Sequence, residues 1–140
     1  MVKADLSERS GFLHGGRPKL LRLALTVNGK PKVSSVWYLW ADNHFWVSTS
    51  EDRLKVDAIR KNPHVALVVD TDVMPYEGVI VEGEATLEKK DVDKITRAIV
   101  EKYVEKKYVE EEFRSLMRAP RILIKIKPSK SLDIMSYKEH

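Results

Sequence analysis

Short runs of alternating or continuous hydrophobic residues divide the chain into segments that predict β-strands. Six runs stand between polar turns: "KLLRLALTV", "KVSSVWYLW", "FWVSTS", "HVALVVDTD", "GVIVEGEATLE" and "RILIKIKP". Asn28 and Gly29 follow the first run, and this pair favours a type I′ hairpin turn because both residues tolerate positive φ angles. We therefore predict a three-stranded antiparallel meander from Lys19 to Ser48. The fourth run is expected to be buried on both faces, and Gly83 in the fifth predicts a bulge or a close backbone approach.

Helical spacing of hydrophobic residues predicts three helices. One runs from Asp52 to Asn62 and ends before Pro63, whose ring cannot continue a helix. A longer one runs from Asp91 to Met117, and "YVEKKYV" is where it bends or splits. A short helix is predicted over Lys3 to Leu13, and "SLDIMSY" near the end is a candidate for one more strand. Few helices between the strands favour an antiparallel sheet or barrel of the mainly β (α+β) class, in one domain over 1–140.

The composition excludes several classes of protein. Of the 140 residues, 43% are hydrophobic and 33% are charged, which is typical of a globular domain. The chain has no cysteine and no apolar run of the roughly 20 residues that span a bilayer, so we expect a cytoplasmic protein. The net charge of +4 comes from basic residues mixed with glutamates, which indicates solvated helix faces more than a nucleic-acid surface. The four histidines are isolated from one another, so no metal site is expected.

The segment "STSEDRLK" places three hydroxyl side chains before two cations at the start of a predicted helix. Helix N-termini carry free N–H groups and partial positive charge, and Arg53 and Lys55 add full charges, so this segment is a candidate phosphate site. A simpler interpretation is that Ser50 caps the helix and the cations face water. Glu51 and Asp52 lie in the same turn, so the phosphate site requires both carboxylates to point to solvent.

Aromatic side chains are concentrated on the second and third predicted strands, at Trp37, Tyr38, Trp40 and Trp46. Core packing is the favoured interpretation because aromatic side chains bury large areas. Two functional interpretations stay open, namely a platform for a flat heterocycle and a stacking surface for single-stranded bases.

The order of these segments resembles the FMN-binding split-barrel superfamily, the group that includes pyridoxamine 5′-phosphate oxidase. In the family pattern a G-x-P turn and a strand are followed by a hydroxyl pair, a basic turn, a short helix, Asn-Pro and a strand with x-G-x-A. The matching positions are Gly29 and Pro31, Val33 to Trp37, Ser48 and Thr49, Arg53 and Lys55, Asn62 and Pro63, and Gly83 and Ala85. The resemblance covers about Leu20 to Leu87, and more loosely "RILIKIKP".

This resemblance implies a six-stranded antiparallel Greek-key split β-barrel with flanking helices. It also implies a homodimer with two FMN sites in the cleft between the subunits. Arg53 and Lys55 would hold the FMN phosphate, and Ser48 and Thr49 would form hydrogen bonds near it. The residues expected along the flavin are Ser34, Ser35, Val36 and Trp37.

The expected function is that of an FMN-binding oxidoreductase. The chain ends in "SLDIMSYKEH" and lacks the C-terminal block of Trp, Arg and His residues with which the true oxidase binds its substrate, so pyridoxamine phosphate oxidation is not expected. A close branch of the superfamily uses the deazaflavin F420, and "RLK" and "VWYLW" suit it about as well. Two other hypotheses stay open: a small β-barrel module that binds nucleic acid, and a barrel that has lost its cofactor. No catalytic residue is assigned.

Overall fold

The computed structural model describes residues 2–134 and contains eight strands and four short or medium helices. The strands are β1 (Val2–Lys3), β2 (Leu21–Val27), β3 (Lys30–Val36), β4 (Leu39–Ala41), β5 (His44–Ser50), β6 (His64–Asp70), β7 (Gly78–Glu88) and β8 (Arg121–Ile134). The helices are α1 (Ser10–His14), α2 (Leu54–Lys61), α3 (Val92–Tyr103) and α4 (Val109–Leu116), and a 3₁₀ turn lies at Lys106–Tyr108.

All eight strands join one antiparallel sheet in the order β3-β2-β6-β7-β8-β5-β4, with β1 paired to β8. The predicted antiparallel α+β class is confirmed, but the sheet is open and has eight strands where six were predicted. The predicted meander from Lys19 to Ser48 is wrong. The hairpins β2–β3 and β4–β5 form, yet β3 and β4 lie at opposite ends of the sheet order.

The chain leaves β3 at Trp37 and Tyr38, although the hydrophobic run "KVSSVWYLW" predicts one continuous strand here. Tyr38 is fully buried, and its hydroxyl donates a hydrogen bond to the carbonyl of Leu13 at 2.8 Å. Its backbone N–H donates to the Tyr103 hydroxyl at 3.2 Å. Side chains and backbone from distant segments therefore satisfy the polar groups of this connection, which a sheet neighbour would otherwise pair.

Two predicted local features of the backbone are confirmed. Asn28 and Gly29 have φ angles of 52° and 78°, as the hairpin turn between β2 and β3 requires. At Gly83 the pairing of β7 with β8 shifts register, and a Cβ there would lie 2.5 Å from the Lys127 carbonyl oxygen. This position therefore accepts only glycine without a backbone shift.

Strand β6 was predicted to be buried on both faces, and the structure corrects this. Val65, Leu67 and Val69 are buried in the main hydrophobic core, whereas Ala66 and Val68 on the other face are only half-buried. The alternation of buried and half-buried residues shows that one face of β6 packs more completely than the other.

The helices agree with the sequence in part. The predicted long helix splits into α3 and α4, because Val104 adopts an extended conformation with φ −112° and ψ 138°. The helix predicted over Lys3 to Leu13 is wrong, since Val2–Lys3 pairs with β8 and only Ser10–His14 is helical. The first part of "SLDIMSY" extends β8, and its last three residues lie outside the described range. Within residues 2–134 no helix has the length and apolar character needed to cross a membrane.

Candidate functional site

A cavity of about 430 Å³ opens beside the second half of β5. Strand β4 pairs only with His44 to Trp46, so the rest of β5 extends past it. The cavity lies between this part of β5 and residues of α2, α3, α4 and β8. Six of the eight predicted cofactor-binding residues line it: Val36, Trp37, Ser48, Thr49, Arg53 and Lys55.

The two remaining predicted residues lie elsewhere on β3. Ser34 lines a second cavity of about 350 Å³, which shares Arg53 and Lys55 with the first. Ser35 is exposed and pairs with Arg22 on β2, and it lines neither of these cavities. Successive side chains of a strand point to opposite faces, which explains why neighbouring serines separate in this way.

Ser48 is held in place by two residues that the sequence analysis missed. Its Oγ lies 2.8 Å from the Thr96 Oγ1 of α3. Arg121, the first residue of β8, donates from Nε to the Ser48 Oγ at 2.9 Å and from a terminal nitrogen to the Ser48 carbonyl at 3.1 Å. In "RILIKIKP" the residue Arg121 alternates with the isoleucines as Lys125 and Lys127 do, so the pattern alone assigns it to the solvent face.

The hydroxyl side chains of the segment do not all face the cavity equally. Thr49 is only 6% exposed and pairs with Ile122 in the sheet, so it packs mainly as a core residue. Ser48 and Ser50 are half-buried and line the cavity. They are therefore the hydroxyls that an anion in the cavity can reach.

Three cations line the cavity without forming an ion pair to a carboxylate among the described residues, namely Arg53, Lys55 and Arg121. Burial, and then the charge of Arg53, lowers the pKa of Lys55, and the same two causes lower the pKa of Arg121. Within residues 2–134, none of these three cations forms an ion pair with a carboxylate. Glu112 lines the cavity, but it is not within ion-pair distance of any of them. The mutual repulsion of the cations would be relieved by a bound anion.

Glu51 and Asp52, the two carboxylates that could have blocked an anion, stay outside the cavity. The Glu51 carboxylate forms an ion pair of 2.7 Å with Lys89, and Asp52 is exposed; neither residue lines the cavity. The alternative in which Ser50 caps the helix is wrong, because α2 begins at Leu54 and its N-cap residue is Arg53.

The aromatic residues divide into a buried group and one residue at the cavity. Tyr38, Trp40 and Trp46 are buried, as core packing predicts. Trp37 is half-buried, lines the cavity and stacks on Tyr103 of α3, with ring centroids 4.9 Å apart. Of these aromatic residues, Trp37 alone is placed where it can flank a ligand in the cavity.

The half-buried Lys102 lies near both Tyr38 and Tyr103, with its Nζ 5.1 Å from the centroid of the Tyr103 ring. Lys102 places its Nζ 3.3 Å from the centroid of the Tyr38 ring and donates to the Tyr38 carbonyl at 3.0 Å. Burial, reinforced by the charge of Lys19, lowers the pKa of Lys102 to about 7. Burial also raises the pKa of Tyr103 to about 12, so its hydroxyl stays protonated and donates to the Lys19 carbonyl at 2.6 Å.

Histidines and carboxylates do not assemble elsewhere in the described chain. Within residues 2–134, no three or more His, Cys, Asp or Glu side chains lie together in a group that could hold a metal ion. His44 lies near the Asp42 carbonyl and His64 lies near Glu84, each at the start of a different strand. His140 is outside the described residues.

Comparison with known families identifies the class of protein. A family model described as pyridoxamine 5′-phosphate oxidase matches residues 12–134. The chain therefore belongs to the pyridoxamine 5′-phosphate oxidase family, which confirms the resemblance drawn from the sequence. No curated protein sequence matches the chain.

Solved structures share the same fold at low sequence identity. General Stress Protein 26 from Bacillus anthracis is 21% identical, with a TM-score of 0.69 over 94% of this chain and 95% of that one. A FAD-binding protein from Mesorhizobium loti is 18% identical, with a TM-score of 0.69 over 97% and 96% of the two chains. An F420 reductase is 21% identical, with a TM-score of 0.61 over 87% and 94%. At these identities the similarity establishes the split-barrel fold.

Proposed function

We propose that this protein binds FMN and acts as a flavin-dependent oxidoreductase. The observation that carries the proposal is the convergence of Arg53, Lys55 and Arg121 on one cavity, without a carboxylate partner among residues 2–134. A phosphate monoester carries a charge of about −1.5 to −2 at pH 7 and offers three strong acceptor oxygens. It therefore complements both these cations and the neighbouring serine hydroxyls.

The residues that line the cavity suit both the phosphate and the ring system of FMN. Arg53 and Lys55 would hold the phosphate, with hydrogen bonds from the hydroxyls of Ser48 and Ser50. Trp37 and other apolar side chains of the same lining suit the flat ring system. A bound flavin supplies the redox chemistry, and the residues of this chain bind and orient it.

The deazaflavin F420 is the second candidate, and the second cavity supports it. That cavity shares Arg53 and Lys55 with the first and extends along β3 to Lys32. A ligand with a long anionic tail has room and positive charge in both cavities. One structural neighbour is itself an F420 reductase. Amine oxidation, which the family name describes, is not part of this proposal.

We further propose that the protein forms a homodimer whose subunits meet at the cofactor sites, and that it is located in the cytoplasm. Val33 on the end strand β3 and Leu54 at the start of α2 are 69% and 61% exposed. Both line the second cavity, next to the shared cations. A second copy of the chain that covers this apolar surface would close the cofactor site from the other side.

The proposal is tested by an absorption spectrum of freshly purified protein, followed by fluorescence titrations with FMN, riboflavin and F420. We expect FMN to bind at least about tenfold more tightly than riboflavin, a difference of about 1.4 kcal/mol. Tighter binding of F420 than of FMN supports the second candidate. A protein that binds none of the three contradicts the proposal, and salt-sensitive binding of a single-stranded oligonucleotide then supports the nucleic-acid alternative.

The oxidoreductase and dimer parts need their own measurements. The oxidoreductase activity is tested by reduction of the bound cofactor with a panel of electron donors. If no donor reduces it, the protein binds the cofactor but is not an oxidoreductase. Light scattering tests the second, with Val33→Glu expected to give a monomer and Val73→Glu, at an exposed site in the loop between β6 and β7, expected to leave the dimer intact.

A further inference from the structure

Arg121 occupies an unusual position for a cation at the start of a strand. Its guanidinium donates to the Oγ and the carbonyl of Ser48, and more weakly, at 3.4 Å, to the carbonyl of Leu116. An arginine side chain has five N–H donors in a rigid planar fork. Three of these bonds hold the guanidinium in place, and the remaining N–H donors stay available at the cavity that Arg121 lines.

The charge of Arg121 is not used within the described chain. None of the carboxylates in residues 2–134 forms an ion pair with it, although Glu112 lines the same cavity, and the charge of another cation, Arg53, acts on it. A guanidinium that only fixed Ser48 would not need to line a cavity with two further cations, since an uncharged amide donates the same kind of hydrogen bond. Placing three cations together costs free energy that a divalent anion recovers on binding.

We propose that Arg121 is a specificity-determining residue of the anion site, and that it selects a doubly charged phosphate monoester. This inference rests on the proposed function and deepens it. Arg53 is exposed, so water screens its charge, whereas Lys55 and Arg121 are half-buried. With Arg121 the site holds three cations, and this charge favours the doubly ionised form of a phosphate monoester over the singly ionised form. Arg121 also positions Ser48 through its hydrogen bonds, so this one residue both orients a hydroxyl donor and adds a positive charge to the site.

The test compares Arg121→Gln and Arg121→Lys with the wild-type protein, in titrations with FMN, riboflavin and inorganic phosphate. Arg118→Gln is the matched control, because Arg118 is an exposed arginine nearby in sequence that does not line the cavity. We expect Arg121→Gln to weaken FMN binding about tenfold or more at pH 7.5, and to change riboflavin binding less than about twofold. Arg121→Lys retains the positive charge but loses the planar arrangement of guanidinium donors, so its FMN affinity should lie between that of wild type and that of Arg121→Gln.

The pH dependence separates a charge-selecting role from a structural one. The second ionisation of a phosphate monoester has a pKa of about 6, so FMN carries close to one charge at about pH 5. The affinity ratio between wild type and Arg121→Gln should therefore shrink at least about threefold on lowering the pH from about 7.5 to about 5. A ratio that stays constant, or an equal loss of FMN and riboflavin binding, overturns the inference while leaving flavin binding itself intact.

Two further outcomes are also decisive. If Arg121→Gln does not fold, Arg121→Met, which is also uncharged, carries the test, and FMN affinity equal to wild type then overturns the inference. If the wild-type protein binds no flavin, the proposed function fails, and inorganic phosphate decides the role of Arg121. Thermal stabilisation of the wild type by phosphate that is lost in Arg121→Gln supports it, and equal or absent stabilisation overturns it.

Discussion

The indole ring of Trp37 lies parallel to the phenol ring of Tyr103, with an interplanar angle of 5° and a centroid separation of 4.9 Å. The two residues are far apart in the sequence, and the stack joins the end of β3 to the end of α3. The Tyr103 hydroxyl is anchored in turn by the Lys19 carbonyl and the Tyr38 N–H. The wall of the candidate cofactor cavity thus depends on a helix that the sequence analysis did not connect with it.

Removing the Tyr103 hydroxyl should cost stability more than ligand affinity. In Tyr103→Phe the Lys19 carbonyl and the Tyr38 N–H lose a partner, so we expect a loss of about 1–3 kcal/mol in the free energy of unfolding by urea. The stack with Trp37 is retained, so FMN affinity should change little. Tyr103→Leu removes the stack as well and should weaken FMN binding several-fold. An equal effect of both variants on FMN affinity would show that the stack does not position Trp37.

Lys55 should distinguish the phosphorylated flavin from the unphosphorylated one. Lys55→Ala is expected to weaken FMN binding by about 1.5–3 kcal/mol, the range for a hydrogen bond to a charged group, and to leave riboflavin binding nearly unchanged. Lys61→Ala, at the exposed C-terminal end of the same helix, is the control. Equal losses for FMN and riboflavin in a calorimetric titration would remove Lys55 from the phosphate role.

Glu51 should have little influence on anion binding, although it lies two residues before Arg53. Its carboxylate already pairs with Lys89 at 2.7 Å and lies outside the cavity lining. Glu51→Gln is therefore expected to raise FMN affinity less than about twofold, within the small range typical of exposed ion pairs. An increase of tenfold would mean that Glu51 faces the anion in solution and that the ion pair with Lys89 does not form.

Gly83 should be intolerant of even the smallest side chain. A Cβ would lie 2.5 Å from the Lys127 carbonyl oxygen, so Gly83→Ala must shift β7 against β8. We expect a loss of about 1–3 kcal/mol in the free energy of unfolding, as for other overpacked sites. Gly11→Ala is the matched control, because no atom lies within 4 Å of the corresponding Cβ. Chemical denaturation that finds both variants equally stable would contradict the close approach at Gly83.

Lys102 should make the stability of the protein rise with pH. Its pKa is about 7 in the folded protein and about 10.5 in the unfolded chain, so the unfolded chain binds the extra proton between these values. Stability therefore increases as the pH rises from about 7 towards 9, and below pH 7 both states are protonated and the gain is absent. The pKa values of Tyr38 and Tyr103 are raised, so both phenols stay protonated in the folded protein over this range.

Lys102→Met should reduce this increase, measured as the free energy of unfolding between about pH 6 and about pH 9. Lys19 has a lowered pKa as well and acts in the same direction, so the informative quantity is the difference between variant and wild type. Lys94→Met, at an exposed position on the same helix, is the control. A pH profile of Lys102→Met identical to that of the wild type would show that this lysine stays charged in the folded protein.

The sequence by itself determined the local elements of the fold and the candidate phosphate segment. Asn28 and Gly29 specify their turn because few residue pairs accept two positive φ angles, and Gly83 signals the close approach of β8. The order of strand, hydroxyls, cations and helix was sufficient to identify the family, and it named six residues that line one cavity.

Only the tertiary structure decided which segments meet. The separation of β3 from β4, the outward direction of Glu51 and the contact between Arg121 and Ser48 all depend on partners remote in sequence. Periodicity reports which face of an element is apolar, but strand order and side-chain direction depend on which distant residues satisfy buried polar groups and charges. Arg121 is the clearest case: its place in an alternating strand predicts a solvated cation, and the fold brings it beside Arg53 and Lys55.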